Sequence, residues 1–299
     1  MEIRSSVLTA FFQDLKTEFN NAYTAATPVW PRIAMKIDSS SEMNVYGWME
    51  QIPNFREWIG TRVFHNIVSR GYQLTNRDWE WSVGVPENKI KDDQYHVYGR
   101  LAQMGGASAA YHPDIEVFKL LNNGFSDTCW DGKAFFAADH PWKPDANGAD
   151  TTLDNLTNLQ LNMANYAATM AKFKVNLQGG DNPFFAGTPE ILLVTDPTNE
   201  ETAKEILMAD FGEFGKRNVW QNSAELLINA QVTAGYWFLL LKNNPISPFI
   251  FQLREAVTME SNEGTVDIRE TKQYKLMADY RAAFGYTLPA LAYGSTGGV

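Results

Sequence analysis

The stretch from Ser39 to Pro86 constrains the fold more than any other part of the chain. It contains Trp48, Trp58, Trp79 and Trp81, four of the nine tryptophans, set among glycines and prolines. From Trp79 onward, apolar and polar residues alternate with the period of a strand that has one buried face. The stretch therefore predicts strands joined by a polar excursion.

A two-stranded ribbon is marginally stable by itself in water, so this element needs another surface to pack on. That surface belongs either to the rest of the chain or to another subunit. Tryptophan and arginine are over-represented among interface anchors. Trp48, Arg56, Glu57 and Trp58 are therefore the candidate subunit-contact residues.

Helical periodicity marks the N-terminal third of the chain. Apolar residues recur every three or four positions from Ser6 to Ala25, which predicts an amphipathic helix that the following prolines end. A second helical stretch runs from the Asp92-Asp93 pair, which complements a helix dipole, to Gly124. Pro113 predicts either a kink or break in this helix or the start of a separate one. Gly105-Gly106 mark close packing or a bend.

Two further helices are predicted, over residues 153–173 and from Thr198 to Gly212, where Thr198 and Glu201 have the spacing of a capping box. Gln178–Pro183 is the best candidate for a flexible loop. The other periodic segments read as strands. They are Glu190–Thr195, Gln231–Leu241, Phe249–Leu253, Thr265–Arg269 and Thr287–Tyr293. The predicted class is α+β.

Composition narrows the class of protein. The formal charge of −10 disfavours nonspecific binding to nucleic acid. The longest apolar run, Tyr236–Leu241, is far too short for a membrane span, and Met1–Ala10 lacks the layout of a signal peptide. The single cysteine, Cys129, excludes an internal disulfide. We therefore expect synthesis in a reducing cytoplasm, with no membrane partner.

One short stretch gathers residue types that bind metals: Cys129, Asp131, Asp139 and His140. Thiolate, imidazole and carboxylate can all coordinate zinc, but this spacing matches no standard zinc pattern. A structural turn is the favoured interpretation, with a metal site as the alternative. We predict neither a metal nor a cofactor.

Cysteine catalysis would need a base beside Cys129. His65, His96, His112 and His140 are all formally available, and the sequence selects none of them. A helix-capping role is the favoured interpretation for His112, which precedes Pro113. Gly105-Gly106 lack the lysine that a phosphate-binding loop requires. No catalytic residue is predicted.

Several short motifs in order resemble those of a known family. They are Tyr46-Gly47-Trp48, Arg56-Glu57-Trp58, Asp92-Asp93-Gln94-Tyr95, His112-Pro113-Asp114, Asp131-Gly132 with Phe135-Phe136, Asp139-His140-Pro141 and Ala292-Tyr293-Gly294-Ser295. Together they resemble the Mu-like major head subunit gpT. The resemblance covers Met1 to about Pro141 and the C-terminus.

The resemblance implies a Hong Kong 97-like major capsid protein fold. Its parts would be an N-terminal arm, an extended loop with its stems, a peripheral domain with a spine helix, an axial domain and a return to the peripheral domain. The corresponding ranges are 1–37, 38–91, 92–149, 150–244 and 245–299.

The implied function is a structural one, not enzymatic: self-assembly into the icosahedral shell that encloses phage double-stranded DNA. Implied partners are copies of the chain in pentamers and hexamers, a separate scaffolding protein and a portal protein, and the shell would enclose double-stranded DNA without sequence-specific binding. Localisation would be the virion capsid, after synthesis in the host bacterial cytoplasm. The alternatives are another phage structural protein, such as a tail tube subunit, and a cysteine- or metal-dependent hydrolase.

Overall fold

The computed structural model describes residues 5–49, 57, 60, 69–91, 97–142, 151–178, 188–212, 215–242, 245–262 and 272–298. The helices in these ranges are α1 (Ser5–Ala25), α2 (Glu87–Lys91), α3 (Val97–Asn123), α4 (Met163–Gln178) and α5 (Glu200–Met208). The strands are β1 (Ala34–Asp38), β2 (Met43–Met49), β3 (Ser69–Thr75), β4 (Arg77–Pro86), β5 (His140–Trp142), β6 (Thr151–Leu153), β7 (Leu156–Thr157), β8 (Glu190–Thr195), β9 (Glu225–Ile228), β10 (Trp237–Lys242), β11 (Phe249–Ser261), β12 (Gln273–Tyr286) and β13 (Ala292–Ser295). The class is α+β, as predicted.

A four-stranded sheet in the order β1-β11-β12-β4 carries the two longest helices on one side. β1 runs parallel to β11, whereas β11, β12 and β4 are antiparallel neighbours. Phe12, Leu15 and Phe19 of α1 are buried in a cluster that includes Tyr274 and Leu276 of β12. The amphipathic face predicted for α1 is therefore the face that covers this sheet.

A five-stranded sheet in the order β7-β13-β10-β8-β9 forms the centre of the largest core. Its middle strands, β8 and β10, are apolar on both faces and almost fully buried. β13 pairs with β10, and the Tyr293 hydroxyl donates to the Leu156 carbonyl at 3.0 Å. The chain after residue 245 therefore contributes strands to both sheets. β11 and β12 belong to the four-stranded sheet, whereas β13, with the buried Tyr293, belongs to the five-stranded sheet.

α3 is continuous through Pro113, so a break and a separate helix are both wrong, whereas a kink at Pro113 stays a prediction. The packing of α3 explains why it stays intact. Pro113 is buried, and Gly105 and Gly106 lie where other elements approach α3 closely. A Cβ atom at Gly105 would come within 2.8 Å of the Trp81 ring. Of the two predicted roles for Gly105-Gly106, close packing is the one that the structure shows.

Other boundaries also differ from the sequence prediction. α4 begins at Met163 because Asn162 caps it, accepting from the Asn165 amide at 2.8 Å, whereas residues 151–153 and 156–157 are strands. The Thr198–Glu201 capping box is absent from the described contacts of α5. Asp196 instead caps the preceding 3₁₀ turn, accepting from the Thr198 amide at 2.9 Å.

Among the predicted strands, Glu190–Thr195 is confirmed, whereas Gln231–Leu241 is a strand only from Trp237. Residues 289–291 form a 3₁₀ turn, so only the end of Thr287–Tyr293 is a strand. The predicted Thr265–Arg269 strand, the Asp92-Asp93 pair and residues 179–183 of the predicted loop lie outside the described residues. None of the described helices combines the length and apolar composition that crossing a membrane requires.

Candidate assembly interface

The predicted interface stretch forms an antiparallel ribbon of β2 and β3. Met43 pairs with Thr75 at one end and Met49 with Ser69 at the other. Near the Met43 end, Tyr46, Tyr72 and Leu74 pack against Ile250 and Ala283 of the four-stranded sheet. Two other apolar side chains of β2 face solvent: Met43 is 46% exposed and Val45 58%. Only one side of the ribbon is therefore supported by the chain's own core.

A chain of polar side chains fixes the base of the ribbon to the sheet. The Tyr46 hydroxyl donates to Gln252 Oε1 at 2.6 Å, and Gln252 Nε2 donates to Asn76 Oδ1 at 2.7 Å. Asn76 Nδ2 in turn donates to Ser39 Oγ at 3.1 Å. Because Gln252 is fully buried, losing any of these partners would leave a polar group unsatisfied. The network thus sets the direction in which the ribbon leaves the sheet.

The candidate contact residues occupy the far end of this ribbon and its connection. The backbone of Trp48 pairs with Arg70 in β2–β3, while the Trp48 side chain lies outside the described part. Glu57 is exposed, and Arg56 and Trp58 fall outside the described residues. The structure therefore shows Glu57 at the surface and the Trp48 backbone in the ribbon, and the contact role of all four residues stays a prediction.

The four candidate metal-ligating residues separate into a group of three with buried side chains and one exposed residue, Asp139. Asp131 lies between Cys129 and His140: its Oδ1 accepts from Cys129 Sγ at 3.0 Å, and its Oδ2 contacts His140 Nδ1 at 2.6 Å. The candidate ligand atoms of Cys129, Asp131 and His140 lie within 4.8 Å of one another, so this trio could hold a metal ion. Asp139 is excluded from the trio because its carboxylate pairs with Lys133 at the surface.

Electrostatics favour a structural role for this trio. Burial raises the pKa of the Cys129 thiol, and the hydrogen bond to Asp131 raises it further. Burial alone would also raise the pKa of Asp131, but hydrogen bonds from His140, Cys129 and the Lys133 amide outweigh it and lower that pKa to about 2. The thiol thus stays protonated and donates to a carboxylate, whereas a cysteine nucleophile must be a thiolate. Asp131 also lies between the Cys129 thiol and the His140 imidazole, whereas a catalytic cysteine and its base would contact each other directly.

His112 does not cap a helix, and the capping interpretation is wrong. It lies inside α3, where its ring packs 4.5 Å from that of Trp79 and its Nδ1 contacts the Tyr280 hydroxyl. Burial lowers the pKa of His112, which favours the neutral form of the ring. His65 and His96 lie outside the described residues.

Asp114 is a buried structural contact that sequence reasoning missed. Its carboxylate accepts from the Trp30 amide at 2.6 Å and from the Val29 amide at 2.9 Å, joining α3 to the segment that follows α1. Burial raises the pKa of Asp114, and these two amide hydrogen bonds offset part of the rise. The signal in the sequence was the acidic residue directly after Pro113, on the side of α3 that is buried.

Comparison with known proteins identifies the family. The model of the Mu-like prophage major head subunit gpT matches residues 8–160, 156–232 and 229–298. The major capsid protein of Escherichia phage Mu is 32% identical over 154 residues, which are 52% of this chain and 50% of that protein. The FluMu major head subunit of Haemophilus influenzae is 31% identical over 156 residues, 52% of this chain and 51% of that protein. The matched region thus spans about half the length of these relatives.

Solved structures show the same fold. The procapsid protein of bacteriophage JBD30 superposes with a TM-score of 0.64 at 26% identity, covering 98% of this chain and 76% of that one. A virus-like particle protein from Pyrococcus furiosus has a TM-score of 0.55 at 11% identity, covering 95% and 99%, and so supports the fold alone. The predicted Hong Kong 97-like fold is confirmed, and the hydrolase and tail tube alternatives gain no support. Because the family model matches nearly the whole chain, the chain belongs to the family of Mu-like prophage major head subunits, whose members are structural proteins.

Proposed function

We propose that this chain is the major capsid subunit of a Mu-like phage, many copies of which close into an icosahedral shell around double-stranded DNA. Its family membership is the observation that carries the proposal. Shells built from this fold, such as the JBD30 procapsid, give the expected form of the assembly. The subunit would reside in the virion capsid, after synthesis in the host bacterial cytoplasm.

The ribbon supplies a physical route to assembly. Its base is anchored through Gln252 and Asn76, whereas Val45 and Met43 leave apolar surface unburied. Burying such surface against a neighbouring copy contributes roughly 25 cal/mol per Å². Contacts that are weak singly become strong when each subunit is held by several neighbours. Trp48, Arg56, Glu57 and Trp58 are the residues we assign to these contacts.

We also propose the division of the fold that the resemblance to the family implies. Residues 1–37 form the arm, 38–91 the extended loop with its stems, 92–149 the peripheral domain with α3 as its spine helix, and 150–244 the axial domain. Residues 245–299 return to the peripheral domain, except that β13 adds a strand to the five-stranded sheet.

The remaining partners follow from the same proposal. Copies of the chain form pentamers and hexamers, a separate scaffolding protein guides their closure and a portal protein occupies one vertex. The net charge of −10 suits a container, because a negative lining adheres little to DNA moving past it.

Assembly is tested directly by producing the full chain in bacteria, fractionating it by sedimentation and imaging the fractions by negative-stain microscopy. Closed shells or rings are the expected result, with scaffolding protein co-produced if the chain alone stays dispersed. A subunit that remains monomeric at high concentration under both conditions would overturn the proposal.

A further inference from the structure

The end of α5 and the described residues after it, 209–212 and 215–219, present a surface that no other described element covers. Three apolar side chains stand out from it: Met208 is 56% exposed, Phe211 67% and Val219 82%. Singly exposed apolar residues are common, but three within twelve residues at one end of a helix form a patch of the kind that binds other proteins.

Buried contacts anchor the end of this segment, at Asn218 and Trp220, to the rest of the chain. The Asn218 side chain is buried and its amide donates to the carbonyls of Ile206 at 2.8 Å and Ala209 at 3.0 Å, satisfying the end of α5. Asn218 Oδ1 accepts from the Trp220 amide at 2.9 Å, and the Trp220 ring packs on Tyr166 of α4. Val219 therefore lies between two anchored residues, which reduces the entropy that this position loses on binding.

Charges of both signs surround the apolar patch. Glu201 and Glu205 lie on the exposed face of α5, one turn apart, and the lysine of that helix, Lys204, pairs with Glu200. Lys216 and Arg217 are exposed after α5, and the backbone of Arg217 forms an isolated antiparallel β-bridge with the backbone of Phe211. Within the described residues, none of Glu201, Glu205, Lys216 and Arg217 forms an ion pair.

We propose that this surface binds a second copy of the chain, with Glu201 and Glu205 of one copy facing Lys216 and Arg217 of the next around the apolar patch. A surface that carries both signs can complement its own copy, whereas phosphate groups of a nucleic acid would be repelled by the two glutamates. The inference rests on the proposed capsid function and identifies a contact separate from the β2–β3 ribbon.

Charge exchange tests this contact in the full chain. Glu201→Lys with Glu205→Lys should reduce the assembled fraction at least tenfold, because four lysine and arginine side chains would then meet. Lys216→Glu with Arg217→Glu should reduce it by a similar factor. Combining all four substitutions restores opposite charges and should bring assembly back to within about twofold of the parent. A merely structural role for these residues would predict no such recovery.

Apolar substitution supplies a matched pair of variants. Phe211→Ser should reduce assembly at least tenfold, whereas Val175→Ser should not, although Val175 on α4 is equally exposed at 67%. Assembly that tolerates either charge reversal, or four substitutions that fail to recover while their thermal unfolding matches the parent, would overturn the inference. A parent chain that forms no shells would instead overturn the proposed function, so the two failures are distinguishable.

Discussion

Gly106 of α3 lies directly against the backbone of Phe19 of α1: a Cβ atom at residue 106 would be 2.1 Å from the Phe19 carbonyl oxygen. Any residue other than glycine would fit there only if one of the two helices moved. The contact fixes α1 on α3 above the four-stranded sheet, where Phe19 is almost fully buried.

Gly106→Ala should therefore destabilise the subunit by about 1–3 kcal/mol, the range for overpacking a tight contact. Gly99→Ala in the same helix is the matched control, because a Cβ at residue 99 meets nothing within 4 Å. It should stabilise the subunit by up to about 1 kcal/mol through helix propensity. Urea unfolding of both variants measures the two signs. Equal effects would show that helix propensity alone governs both positions.

Asp131→Asn should lower the free energy of unfolding by about 2 kcal/mol near neutral pH. The pKa of Asp131 is lowered from 3.8 to about 2 in the folded protein, so folding favours the carboxylate. Its stabilisation is present above pH 3.8 and is lost as the pH falls toward 2. Unfolding free energies of parent and variant should therefore converge as the pH falls below about 4. A difference that stays constant with pH would contradict this.

Cys129→Ser should fold and assemble like the parent, because a hydroxyl can donate to Asp131 as the thiol does. This prediction also separates a structural trio from a metal site. Metal analysis of washed particles checks it: one zinc per subunit in the parent, lost in the variant, would show that Cys129 is a ligand.

Trp58→Ala should block shell formation while leaving the subunit folded, because Trp58 belongs to the predicted contact residues. Trp237→Ala is the control for a core residue: Trp237 is fully buried, and the substitution should cost about 3–5 kcal/mol of stability. Circular dichroism melting beside negative-stain microscopy distinguishes folding from assembly. If Trp58→Ala lowered the melting temperature as much as Trp237→Ala, the assignment to an interface would be wrong.

Pro113→Ala should raise the free energy of unfolding, since proline in a helix interior costs up to about 3 kcal/mol relative to alanine. If α3 is a spine that bends during shell maturation, the variant should also change the expansion of the particle. Particle diameters before and after DNA packaging measure this. Unchanged expansion would show that Pro113 is not a hinge. Pro113→Ala is tested without Gly106→Ala, because a side chain at residue 106 would clash with the backbone of Phe19.

The sequence by itself determined the elements whose pattern is local. The amphipathic face of α1, the alternation from Trp79 to Val85 and the buried strand β8 each follow from spacing along the chain, because neighbouring residues decide which face meets the core. The order of the short motifs also indicated the family to which the chain belongs.

Tertiary structure decided what depends on contacts between distant residues. Asp114 meets Trp30 from 84 residues away and Gln252 meets Asn76 from 176, and no local pattern encodes such pairs. Pro113 stays inside α3, although local propensity argued for a break, because the residues around it are buried against other elements. Likewise, β13 pairs with β10 of the five-stranded sheet, where Tyr293 is buried. This pairing depends on packing between segments that are distant in the sequence.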